Sequence, residues 1–312
     1  MKYFLSKLLF FFFLIIPVYI LFIILFGTYV NRFYTKNLPY IREDNLLQRF
    51  NDLESTRKSD VLILGSSHAY RGYDVRVFKD RGLKSFNLGS SSQTLIQTEF
   101  MLQKYYETLK PKFVIIDIYP SLLNSDGVES SVNLVSNAKL DKDWLSYIFK
   151  INNVKVYNTA IFAAYVQLCK PGNVDLHDLQ LSKSDKYISG GYVETKRIGK
   201  IREKYTNEEY KVRPEQLEAL QNIVDFLKNK HIPYLLTQAP LYPQRYRDIK
   251  NTAYIDTLVS KYGPYINFNN EVTIPKDGFM DSSHMNQFGV DLFNKKLLDT
   301  LIQKGYIKLK QS

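Results

Sequence analysis

The stretch Asp60-Val61-Leu62-Ile63-Leu64-Gly65-Ser66-Ser67 decides the fold. Four successive branched apolar residues leave no polar face, as expected of a short strand covered on both sides in a parallel sheet. The run stops at a glycine and passes into two serines, which reads as a strand leading into a loop. The pattern recurs outward along the chain. Lys84-Ser85-Phe86-Asn87-Leu88 ends at Gly89, and Phe113-Val114-Ile115-Ile116-Asp117-Ile118 is apolar nearly throughout. Pro233-Tyr234-Leu235-Leu236-Thr237 and Tyr265-Ile266-Asn267-Phe268 complete the set.

Helical periodicity fills the gaps. Leu46, Leu47, Phe50 and Leu53 share one face, and Thr94 to Leu109 carries a stripe closed by Lys110-Pro111. Pro214 opens a helix at its favoured first position, with Leu217, Leu220, Ile223, Val224 and Leu227 on one side. A helix over about 252–262 and a final one from about Gln287 to Gln303, capped by Asn286, follow. Strands alternating with helices predict an α/β fold with a parallel sheet and helices on both faces. Ligands bind such sheets beyond the carboxyl ends of the strands, where Ser67, Gly89 and Asp117 fall. Residues 121–212 break the rhythm. They are polar, with one helix expected near 155–168 and a charged run from Lys183 to Arg213, and read as an insertion in a domain spanning 58–312.

The chain's 312 residues can bury a sizeable core. Net charge is +11, which favours an acidic partner, yet no nucleic-acid-binding module is present. Cys169 is the single cysteine, so neither an intrachain disulfide nor a cysteine metal site is available. From Leu8 to Val30 no residue is charged. As a helix this segment reaches ~35 Å, enough to cross a bilayer. Lys2 and Lys7 precede it and no small-residue cleavage site follows, so residues 1–30 read as an uncleaved, single-pass transmembrane anchor. Residues 31–57 read as a juxtamembrane linker and helix. Arg32, Lys36 and Arg42 balance the N-terminal lysines, so charge does not set the orientation.

Two short motifs carry the chemistry: Gly65-Ser66-Ser67 and Asp281-Ser282-Ser283-His284. A serine hydroxyl becomes a useful nucleophile when a base lies within hydrogen-bond reach and a third group orients that base. Read alone, Gly-Ser-Ser is a common turn with capping hydroxyls, and Asp281 a helix-capping carboxylate. Of four histidines, His231 sits in a helix-exit turn and His177 in the polar insertion. His68 adjoins the serine in sequence and is a pocket candidate rather than the base. One loop can hold Asp281 against one ring nitrogen of His284 and leave the other for Ser67.

Taken together, Gly65-Ser66-Ser67, Asn87-Leu88-Gly89 and Asp281-x-x-His284 resemble the SGNH (GDSL-like) hydrolase superfamily. The Gly-Ser-Ser variant is similar to its membrane-anchored cell-envelope branch. The resemblance covers roughly 58–120 and 230–304, most specifically Phe279 to Gly289. It implies a three-layer flavodoxin-like sandwich and a reaction without cofactor or metal. It also implies Ser67 as nucleophile, His284 as general base and Asp281 as its orienting carboxylate. The Ser67 and Gly89 amides would belong to the oxyanion hole. The family's Gly-x-Asn-Asp block is missing after the third strand, where Asp117-Ile118-Tyr119-Pro120 stands. Asn87, Asn124 and Gln238 are the candidate replacements.

The function implied is a membrane-tethered serine acyl transferase or esterase acting on O-acyl groups of an envelope polysaccharide, with its catalytic domain extracytoplasmic. Its partners would be the cell membrane, an acyl donor, a glycan or polymer acceptor and a multipass membrane acyl exporter. Two alternatives stand beside it: a non-catalytic binding or assembly subunit, and a lipid esterase, for which the polar insertion offers no apolar acyl channel.

Overall fold

The computed structural model describes residues 1–29, 45–169, 185–201 and 208–308. His177 and the linker 31–43 lie outside the described residues. In chain order the first elements are α1 (Lys2–Tyr29), α2 (Leu46–Ser55), β1 (Val61–Leu64), α3 (Ser67–Gly72), α4 (Val75–Lys79) and β2 (Ser85–Asn87). They are followed by α5 (Leu95–Leu109), β3 (Phe113–Asp117), α6 (Val128–Asn137), α7 (Lys142–Ile151) and α8 (Val154–Cys169). The hairpin β4 (Asp185–Ile188) and β5 (Tyr192–Thr195) precedes α9 (Pro214–Asn229) and β6 (Tyr234–Gln238). The chain ends with α10 (Pro243–Arg247), α11 (Thr252–Ser260), β7 (Tyr265–Asn267) and α12 (Gln287–Gln303).

The chain divides into two compact units, residues 43–130 with 180–312, and residues 1–42 with 131–179. The larger is built on a five-stranded sheet in the order β2-β1-β3-β6-β7. All of its pairings are parallel. Counting only the sheet's own strands, this is the 2-1-3-4-5 order of flavodoxin-like folds, whose order reverses between β1 and β3. The strands are uniformly apolar because both faces are covered. Val61 and Ile63, Phe113 and Ile115, and Leu235 pack with Phe293, Leu297 and Leu301 of α12. The alternate residues Leu62, Leu64, Val114, Ile116 and Leu236 point the other way and are equally buried. The α/β, three-layer, parallel-sheet expectation therefore holds.

Local signals set the helix ends. Thr94 and Gln97 form a capping box on α5, Pro214 starts α9, and Asn286 accepts the Gly289 amide at 3.2 Å to cap α12. Gly65, at φ +145°, lets the chain turn out of β1 where any Cβ would meet the Asp117 carbonyl at 2.7 Å.

Within the smaller unit, α1 is the one helix, among the described residues, long and apolar enough to cross a membrane. Ile23 packs with Phe162 of α8, and the Tyr19 hydroxyl donates to Asn158 Oδ1 at 2.7 Å.

Among the described residues of 121–212 there are three helices between 128 and 169 where one was expected. In α6 the buried Ser136 and Asn137 donate to the carbonyls of Val132 and Asn133, one turn back in the same helix. Further on, the β4–β5 hairpin belongs to the sheet unit, where the Gly190 carbonyl accepts the Asn87 amide at 2.8 Å.

Candidate active site

The site forms where β1, β3 and the 279–285 loop converge. Ser66 ends the turn after Gly65, and its Oγ accepts the His68 amide, which starts α3 at Ser67. Ser67 thus stands half-buried on the first turn of a short helix rather than in an open loop. At the other end of the chain, Phe279 and Met285 bridge as an antiparallel pair, and both are buried in the core. Between them the Met280 amide donates to the His284 carbonyl at 3.0 Å, which tightens the loop.

This loop holds Asp281 and His284 in one geometry. Asp281 Oδ1 accepts the amides of Ser283 at 2.7 Å and His284 at 2.8 Å. His284 Nδ1 lies 2.9 Å from Asp281 Oδ2, and Nε2 lies 2.8 Å from Ser67 Oγ. A carboxylate can only accept, so Nδ1 carries the proton and Nε2 is free to accept from the serine hydroxyl. Burial works against the Asp281 charge, but the His284 hydrogen bond and charge and the two amides outweigh it. They hold this carboxyl well below the ordinary range.

The structure thus brings Ser67 together with Asp281 and His284, the histidine 217 residues further along the chain. His68 joins them: its ring stacks on Tyr119 with centroids 3.9 Å apart and lies 5.0 Å from the His284 ring. Burial, and after it the neighbouring His284 charge, lowers its pKa well below the ordinary imidazole value.

The oxyanion candidates Gly89 and Asn87 are engaged with each other. The Gly89 amide donates to Asn87 Oδ1 at 3.0 Å, and Asn87 Nδ2 donates to the carbonyls of Ala69 and Tyr73. Both groups are occupied in pinning β2 to α3. Gly89 is required for close approach, since a Cβ there would lie 2.9 Å from the Ser66 carbonyl oxygen. Asn124 is exposed at the end of a 3₁₀ turn and has no side-chain partner among the described residues. Gln238 is buried and accepts from the Tyr265 hydroxyl, on the opposite sheet face from its neighbour Thr237, which meets Tyr73. None of the three candidate replacements is joined to the triad. The Ser67 amide, in the first turn of α3, has no partner among the described residues.

Arg245 of α10 was not singled out in the sequence. It donates to the hydroxyls of Ser282 and Ser283 in the Asp281–His284 loop, pairs with Glu208 at 3.4 Å and lies 5.9 Å over the Tyr119 ring. Its signal was positional: a basic residue just past the carboxyl end of β6, the edge where ligands bind.

No family model matches this chain, and no curated protein does. Solved structures do. A GDSL-like lipase from Bacteroides thetaiotaomicron aligns with a TM-score of 0.41 and 12% identity, over 83% of this chain and 98% of its own. A second structure, described as a "putative acylhydrolase" from Bacteroides fragilis, aligns at 0.41 and 14% identity, over 84% and 99%. At such identities and TM-scores a GDSL-like chemistry has to be read from the side chains themselves.

Proposed function

We propose that this chain is a serine esterase or O-acyltransferase of the SGNH type, with Ser67 as nucleophile, His284 as general base and Asp281 as the carboxylate that orients it. The observation that carries this reading is the unbroken path from Ser67 Oγ through His284 to Asp281, at 2.8 and 2.9 Å. As the Ser67 oxygen bonds to an ester carbonyl carbon, its proton passes to His284 Nε2 and the carbonyl oxygen takes the negative charge. Collapse of that intermediate breaks the ester C–O bond, and the departing alkoxide oxygen takes the proton back from Nε2. An acceptor hydroxyl, from a sugar or water, then reverses the sequence and frees Ser67. The Ser67 amide is the available backbone donor for the oxyanion.

The substrate we favour is an O-acylated cell-envelope polysaccharide, reached by a catalytic domain tethered outside the cytoplasm beside a multipass acyl exporter. The apolar helix α1 and the cationic balance of the chain support this choice. A binding or assembly subunit is the second reading, favoured by one observation: Asn87 and Gly89 satisfy each other instead of facing the serine.

The test is intact-mass spectrometry of the detergent-solubilised chain after treatment with a fluorophosphonate, beside Ser67→Ala and His284→Ala. One stoichiometric adduct on Ser67, absent from both variants, is expected. A folded protein that takes no adduct would leave the subunit reading in its place.

A further inference from the structure

Three buried polar atoms have no hydrogen-bond partner among the described residues: His68 Nε2 beside the His284 ring, Nε of Arg245, which holds the Asp281–His284 loop, and the Tyr210 hydroxyl. A buried polar group left unpaired is costly, so three of them call for an explanation. Their placement offers one. His68 stacks on Tyr119 and lies at a tilt beside the His284 ring, and Arg245 lies over the same Tyr119 ring while holding Ser283. Tyr210 lies within electrostatic reach of both Tyr119 and Arg245. The Arg245 side chain is 14% exposed, and its ionic partner Glu208 is a more exposed carboxylate at 3.4 Å.

We infer that Arg245, Tyr210 and His68 form a subsite for an anionic oxygen group, a carboxylate or phosphate, on the molecule that reacts at Ser67. Arginine Nε–H and a tyrosine hydroxyl both donate, and charge-assisted bonds of this kind suit carboxylate and phosphate oxygens. Neutral His68 adds a donor or an acceptor according to its tautomer. The net charge of +11 draws the same class of ligand to the surface. Arg245 is the specificity-determining residue of the subsite. The assignment of this ligand as substrate rests on the serine reading above; the binding of an anion does not.

The full-length chain in detergent is labelled with fluorophosphonate while inorganic phosphate or monomethyl succinate is added at constant ionic strength, with chloride as the control. Wild type, Arg245→Gln and Tyr210→Phe are compared. At least one probe is expected to slow labelling of Ser67 beyond chloride. The half-protecting concentration should rise about 10–100-fold in Arg245→Gln, as for a lost hydrogen bond to a charged group. A smaller rise is expected in Tyr210→Phe, which leaves the Arg245 contacts to Ser282 and Ser283 in place. Protection by phosphate alone identifies a phosphoryl ligand, and by monomethyl succinate alone a carboxylate ligand. Protection no better than chloride, or equal in all three proteins, overturns the subsite and leaves the nucleophile standing. If wild type takes no label, the serine reading fails by itself, and calorimetric titration with the same probes decides: heat lost in Arg245→Gln supports the anion site, and no heat overturns it.

Discussion

Asp117 and Asp281 are two carboxylates of one unit whose surroundings drive them in opposite directions. Asp117 is enclosed at the end of β3, and burial pushes it up to about 7 although the Tyr73 hydroxyl and the Ala239 amide both donate to Oδ1. The folded state therefore holds that proton more tightly than the unfolded chain, whose value is near 3.8. Its contribution is complete below that value and declines as pH rises through about 7. Between pH 5 and 8 the loss is at most about 2–3 kcal/mol. Asp117→Asn keeps an acceptor oxygen and cannot ionise, so its thermal midpoint should fall less steeply than wild type over this range. Parallel slopes in the two melting series would refute the assignment. Asp281 is the opposite case. Asp281→Asn keeps an oxygen for the two loop amides but presents an NH₂ to His284 Nδ1, favouring the wrong tautomer. Turnover of an ester substrate should fall by about 10³–10⁴-fold, and the melting temperature at neutral pH should fall as well, because the folded state favours the Asp281 charge. The three residues were legible because Ser67 follows an apolar run that ends at Gly65, and because His284, one of four histidines, stands three residues from Asp281 just before the last helix. The mutual engagement of Asn87 and Gly89 was not, because a backbone amide's direction leaves no mark in the sequence. Arg245 was hidden among many other basic residues.

At the scale of elements, strands were readable where an apolar run ended at glycine, as at Leu64-Gly65. Helices were readable where a stripe met a cap, as in α9 and α12. Among the elements that escaped are α6 and the β4–β5 hairpin. In α6, Ser130, Ser131 and Asn133 are buried, so the hydrophobic pattern that marks a helix is diluted by polar side chains. The β4–β5 hairpin had its signal in Gly190-Gly191 between Tyr187-Ile188 and Tyr192-Val193, masked by the charges around it. The junction of β2 with α3 depends on one small residue. In Gly89→Ala, a Cβ would lie 2.9 Å from both Ala69 Cβ and the Ser66 carbonyl oxygen and 3.0 Å from the Tyr70 amide. Backbone cannot yield as a side chain can, so about 1–3 kcal/mol of stability should be lost. Because the displaced turn carries Ser67, fluorophosphonate labelling should slow as well. A variant that melts earlier yet labels at the wild-type rate would show the turn to be independent of this packing.

For the whole molecule, the sheet unit carries its own core, from Val61 and Ile63 to Phe293 and Leu297, without residues from α1. Removing residues 1–29 is expected to shift the chain from the membrane fraction to the soluble fraction while Ser67 remains reactive. Fractionation followed by labelling checks both halves of that statement. The sheet also has a history imposed by its strand order. As the chain is synthesised, β1, β2 and β3 are complete early, but the partner for the far edge of β3 begins only at Tyr234. Until then Phe113 to Asp117 presents an unpaired apolar edge, the kind of surface on which nascent chains aggregate. Closing so distant a pairing is slow. Maturation of this protein is therefore paced by the arrival of β6, and a holding chaperone that shields the β3 edge would raise its yield more than one acting on the finished fold.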